Sequence, residues 1–317
     1  MPNNHSSMRK ATSLASALAV LAIATALQSC DWRTPAATGD TAADSAATAA
    51  FCTAEFSDSV AINNATAYAE IKADFPAEED SSLAAQAVLE WLCREVRGRC
   101  YPDYVGESVD SAFSLTTNEG TFAENVVNTY GRKGLDNMAN DLREMAIDGY
   151  EGFMGNYLTI ELTENTPDYL TFTLEHDVYT GGAHGGQYHY GQTFSKADGK
   201  TFTWAHFAPE KRSELIELIK KGLMAYFNEG AEEPITTDSA LFEHLILYDN
   251  PDTPENELEY GIPLPLTAPW ITRDGVCFIY QEYEIAAYAM GRPTVTLPLS
   301  VVAPCLTDEG RKFLSLK

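Results

Sequence analysis

The sequence predicts an α+β fold, with antiparallel sheets, helices packed on one face and two sequential subdomains. Two periodicities predict it. Some stretches alternate apolar and polar residues, as half-buried strands do, while others repeat their apolar residues every three to four positions behind capping residues, as amphipathic helices do. Both kinds are mixed along the 317 residues, which is the α+β pattern.

Ala65, Ala67, Ala69, Ile71, Ala73 and Phe75 alternate with Thr66, Tyr68, Glu70, Lys72 and Asp74, a half-buried strand that Pro76 ends. Ser81 or Ser82 then caps a helix whose apolar face is Leu83, Ala84, Ala87, Val88, Trp91, Leu92 and Val96, expected to stop at Gly98. Thr121 and Glu124 form a T-x-x-E capping box for the next helix. Its face runs through Phe122, Val126, Val127 and Tyr130, with an interruption expected at Gly131 and Gly134 before Leu135, Met138, Leu142 and Met145 resume. Period two returns over 157–163, 169–179 and 188–196, an antiparallel meander punctuated by Pro167 and the glycines around His184. A helix follows from Pro209 to Phe227. Arg273-Asp274-Gly275 then joins 269–272 to 276–281 as a hairpin, and 294–299 adds a strand.

Ahead of this body, the chain begins with Arg9 and Lys10, an apolar run from Leu14 to Leu27, and Leu27-Gln28-Ser29-Cys30. The run has about 14 residues, short of the roughly 18 that span a bilayer, so it reads as an export signal. A small residue before Cys30, with an aliphatic one three positions upstream of that cysteine, resembles the lipobox of bacterial lipoproteins. The resemblance implies that Cys30 is diacylated and becomes the mature N-terminus. Asp31 to Ala50 is almost wholly Ala, Thr, Asp, Gly, Ser and Pro and cannot bury a core, which makes it a flexible tether. The expected organisation is a signal over 1–29, a tether over 30–50, and subdomains over 51–207 and 208–317.

The formal net charge is −25, and removal of the signal takes away Arg9 and Lys10 but no acid. Such a charge argues against nucleic acid phosphates and anionic headgroups. It favours cationic partners, or serves solubility alone. With Cys30 acylated, Cys52, Cys93, Cys100, Cys277 and Cys305 remain, an odd number. Cys93 and Cys100 are near enough in sequence for a local disulfide in an oxidising compartment, while Cys277 sits in an apolar strand pattern as a small hydrophobe.

Two blocks carry a family resemblance. Thr180-Gly181-Gly182-Ala183-His184, then Phe194, Asp198-Gly199-Lys200 and 204–207, form the first. Asp274-Gly275, Phe278, Tyr280, Tyr283-Glu284-Ile285-Ala286, Tyr288 and Gly291 form the second. In order and spacing they are similar to the conserved blocks of a family of bacterial extracellular domains found in the anti-sigma factor RsiV and the peptidoglycan deacetylase PdaC. The resemblance spans most of 52–303. It implies an N-terminal PdaC-type region, a C-terminal RsiV-type region and a role in recognition outside the cell. Two departures limit the analogy. A short cleavable signal stands where RsiV-like sensors have a cytoplasmic segment and a membrane helix, and no deacetylase domain with its metal ligands follows the second block. Gly185 also replaces the family's proline after the motif histidine, which puts that loop's shape in question.

Bottom-up, Gly181 and Gly182 allow positive φ between two strands, and Gly185 and Gly186 offer the same freedom beyond His184. His184 is a candidate ligand-binding residue, with a loop-locking role as the plainer reading. Tyr280, Tyr283 and Tyr288 are not spaced for one strand face, so Tyr283 and Tyr288 are candidates for an exposed rim, where tyrosine suits protein recognition. Core packing is the competing reading. His176, His184, His189 and His206 match no compact zinc motif, and the acidic run Asp249, Asp252, Glu255 and Glu257 lacks the register of a calcium loop. No metal, cofactor or catalytic motif is expected.

The function expected first is an exported, lipid-anchored, non-enzymatic binding protein of the cell envelope that recognises a protein, such as a cationic lysozyme-like cell-wall hydrolase. A peptidoglycan- or glycan-binding accessory module is the second reading. A cell-wall hydrolase using His184 is the third.

Overall fold

Strand β1 (Phe51–Ile62) pairs with β2 (Ala65–Pro76) in an antiparallel hairpin closed by Asn63-Asn64, with Asn63 at φ 54°, a conformation asparagine tolerates. The computed structural model describes residues 50–101, 120–147, 149–229, 231–246 and 261–316, and the expectations for Cys30, the tether and the acidic run at 249–257 fall outside them. β1 was not anticipated, because Glu55, Ser57 and Ser59 on one face and only small or scattered apolar residues on the other blur its alternation. β2 has the expected buried face, from Ala65 to Phe75.

Helix α1 (Leu83–Cys100) is capped by Ser82, which accepts from the Ala85 amide. Helix α2 (Phe122–Ile147) starts at the expected capping box: Thr121 N donates to Glu124 Oε2 at 2.8 Å, and Glu124 N to Thr121 Oγ1 at 3.2 Å. Together they carry the chain from β2 to β3 (Phe153–Asn165), which lies parallel to β2. That crossover makes the sheet mixed, and the antiparallel meander begins only at β3, continuing through β4 (Tyr169–Tyr179) and β5 (Gly186–Ser195). The strand order is β1-β2-β3-β4-β5. Both helices cover one face of it, burying Trp91 edge-on to Phe194 and Tyr190.

Three expectations need correction here. Gly131 and Gly134 do not interrupt α2. They are contact points: a Cβ at Gly131 would lie 2.3 Å from the Phe56 ring, and one at Gly134 2.1 Å from the Cys100 carbonyl oxygen. Nor does a Cys93–Cys100 disulfide form. α1 runs through Gly98 to Cys100, which leaves the two cysteines about 10 Å apart along one rigid helix, beyond the roughly 7 Å that a disulfide can bridge. Both are free and buried, and burial pushes the Cys93 thiol up to about 12.

The second core begins at Phe202, a few residues ahead of the expected boundary at 207, and takes in Phe207. Helix α3 (Arg212–Asn228) packs across a second antiparallel sheet of β6 (Trp270–Thr272), β7 (Gly275–Ile279) and β8 (Thr294–Leu297). Short helices α4 (Asp238–Phe242), α5 (Leu299–Val302) and α6 (Asp308–Phe313) complete it. All described residues lie in one compact unit. Among them, no helix is long and apolar enough to cross a membrane.

Candidate functional site

The two cores meet where β6 and the segment after β7 lie against the outer face and edge of β5. Gly191 permits the closest approach: a Cβ there would sit 2.2 Å from the Trp270 ring. The Ile271 amide donates to buried Thr193 Oγ1 at 2.9 Å. Farther along, Gln281 works as a strand substitute. Its Nε2 donates to the His189 carbonyl at 2.7 Å, its Oε1 accepts from the His189 amide at 3.2 Å, and Glu282 accepts from the Gln187 amide at 3.2 Å.

Those bonds place residue 283 beside the β4–β5 loop. There His184 stacks on Tyr288, with ring centroids 4.1 Å apart and an interplanar angle of 25°. Tyr283 lies 6.3 Å from His184 and 5.9 Å from Tyr288 by centroid. His184 Nδ1 lies 2.9 Å from the Gly185 carbonyl oxygen. A carbonyl only accepts, so Nδ1 carries the proton, and in the neutral ring Nε2 accepts from the Tyr283 hydroxyl at 3.2 Å. Three residues nominated separately from sequence therefore form one cluster.

The cluster is held by backbone that would not otherwise adopt these shapes. Gly181 and Gly182 have φ of 95° and 101°, as expected for the turn, and the Tyr179 hydroxyl donates to the Gly182 carbonyl at 3.0 Å. Gly185 has no positive φ. It is small for another reason, since a Cβ there would be 2.7 Å from the Val178 carbonyl oxygen. Tyr283 itself is at φ 64°, a strained conformation for a large side chain. Below it, Glu284 accepts from the Gln281 and Leu266 amides, each at 2.7 Å, and burial raises its carboxyl pKa despite those two bonds.

Tyr283 is 45% exposed, His184 is exposed and Tyr288 half-buried, whereas Tyr280 is wholly buried and donates to the Pro263 carbonyl at 2.8 Å. Three of the other histidines lie apart from the cluster. His176 is buried on the helix-covered face against Asn156, His189 rests edge-on to Trp270, and His206 caps a short turn at Thr203. Among the described residues no group of three or more His, Cys, Asp or Glu side chains could hold a metal. His184 bonds the Gly185 carbonyl and the Tyr283 hydroxyl through its two ring nitrogens, and the arrangement offers an exposed polar-aromatic contact surface. Sequence reasoning missed Gln281 and Trp270, whose roles depend on a partner strand some 80 to 90 positions away.

Fold and seam together define a two-sheet α+β protein whose two subdomains share one aromatic corner. Residues 207–300 match the model of a protein family of unknown function, DUF3298, a stretch that holds the second sequence block and stops short of His184. The chain is similar in structure to a DUF3298 family member from Bacteroides fragilis, with a TM-score of 0.61 and 18% identity over 85% of this chain and 98% of that one. A DUF3298 family protein from Pseudomonas aeruginosa is also similar, with a TM-score of 0.48 and 12% identity over 83% and 97%. A search of curated proteins gives no match. At these identities the Bacteroides structure speaks for the fold alone.

Proposed function

We propose that this chain is an exported, lipid-anchored binding protein of the bacterial cell envelope, tethered through Cys30, of the RsiV/PdaC type, acting by recognition and not by turnover. Its ligand on this reading is a protein, specifically a cationic one such as a lysozyme-like cell-wall hydrolase. The observation that carries the proposal is the exposed cluster of His184, Tyr283 and Tyr288. Rigid rings provide contact area at little entropic cost, and hot spots are enriched in tyrosine. Strain at Tyr283 supports the same reading, because a large residue at positive φ is retained only where the surroundings hold it. The net charge of −25 adds long-range attraction for a basic partner.

Retention of a cationic lysozyme on the immobilised chain, at low and at physiological salt, tests the proposal. Retention should weaken with salt and fall about tenfold or more with Tyr283→Gly, while thermal stability is kept or rises by ~1 kcal/mol as the strain is released. Absence of salt-sensitive retention, or equal retention by the variant, overturns it.

A further inference from the structure

The outer face of the first sheet carries a second arrangement of rings, remote from that cluster in its chemistry. Tyr68, Phe153 and Tyr157 are 41%, 46% and 40% exposed. Register places Tyr68 on β2 opposite Gly155 on β3, and Gly155 opposite Tyr179 on β4. Gly155 has a particular use. A Cβ there would lie 2.7 Å from a Tyr157 ring carbon, so the ring reaches back along β3 and lies low on the glycine, between Tyr68 and Tyr179. Phe153 extends the patch, with its ring centroid 4.9 Å from that of Tyr179. The row crosses two strand spacings, about 10 Å, the length of roughly one disaccharide.

The neighbouring row is acidic. Glu70 and Asp177 are the register partners of Tyr157 on either side, both exposed, and neither is paired with a cation among the described residues. Glu55, Glu161 and Glu175 stand on the same face. Lys72 is the one cation among the outward residues of β1 to β4, and it pairs with Glu161. Burial, then the charge of Glu70, raises the pKa of the Tyr157 phenol, which keeps the ring neutral.

We infer that this face binds a glycan strand built of amino sugars with free, positively charged amino groups. A ring lying low on the sheet presents its electron-rich face, which the C–H face of a pyranose covers, and an ammonium group beside it gains both cation–π attraction and charge-assisted hydrogen bonds to Glu70 or Asp177. The charge on the face is complementary to that ligand, since Glu70 and Asp177 have no cation paired with them among the described residues.

Calorimetric titration of the full chain with a glucosamine oligomer, beside its fully N-acetylated counterpart, tests the inference. The glucosamine oligomer should bind in a salt-sensitive manner, and more tightly than the acetylated one. Tyr157→Ala should weaken binding about tenfold, as should Glu70→Gln combined with Asp177→Asn, with circular dichroism verifying the fold. Gly155→Ala keeps every ring but lifts Tyr157, and should weaken binding as well. The inference is overturned if the oligomer does not bind, if the acetylated form binds as tightly, if folded Tyr157→Ala and the carboxylate variant both bind as the parent does, or if only a basic protein is captured through this face.

Discussion

His176 sits on the inward face of β4, 9% exposed, with Nε2 donating to Asn156 Oδ1 at 3.2 Å while Asn156 Nδ2 donates to the Arg99 carbonyl at 2.9 Å. Burial, helped by the positive charge of Arg99, pushes its pKa down to about 4. The folded state thus holds a neutral ring while the unfolded chain takes up a proton at the ordinary value near 6.5. The contribution is complete above that value and is lost as pH falls towards 4, a loss of about 3 kcal/mol. Denaturant melts between pH 7 and pH 4 should show the parent losing that much more stability than His176→Gln, which keeps a hydrogen-bonding group but does not titrate. Equal losses would remove His176 as the cause. The histidine's burial was not legible in its own sequence context, because Glu175 and Asp177 flank it and only the strand's period assigns it inward.

The helices show how an element's local rules can be overruled by its neighbours. Two glycines spaced three apart in a helical pattern signal a weak point, since each costs about 1 kcal/mol relative to alanine. In α2 they are instead where the helix comes closest to β1 and to the end of α1. Gly134→Ala should therefore reverse the usual sign and destabilise the chain by ~1–3 kcal/mol, readable as a lower urea midpoint. A stabilised variant would mean that α2 does not pack this tightly on Cys100. The same packing explains the missing disulfide. Gly98 predicts a stop, but α1 continues to Cys100, and a continuous helix sets cysteines seven positions apart out of reach.

At the scale of the whole molecule, two cores are joined by a seam whose centre is Trp270 on Gly191, flanked by the Ile271–Thr193 and Gln281–His189 bonds. Trp270 is 2% exposed, and replacing it with alanine should cost about 3–5 kcal/mol. Because the loss falls on the seam, Trp270→Ala should also split a single calorimetric transition into two, the second core melting first. One transition at the parent midpoint would show that the seam does not couple the cores. The corner of His184, Tyr283 and Tyr288 depends on this seam too, since the Gln281 and Glu282 bonds to β5 bring its ring-bearing segments together.

The caps of α1 and α2, the alternation of β2 to β5, the Arg273-Asp274 hairpin and the glycine turn at Gly181-Gly182 were all determined by the sequence alone, because each is a contest among near neighbours that the local residues decide. The three site residues could be nominated the same way, as a motif histidine and two tyrosines off a strand's period. Their meeting was decided by the tertiary structure, as were the parallel pairing of β2 with β3, the continuity of α1 and α2, and the seating of Trp270 on Gly191. In each of these the deciding contact joins residues on different elements, and a glycine's missing Cβ or a buried amide's need for a partner acts only once packing has brought those elements together.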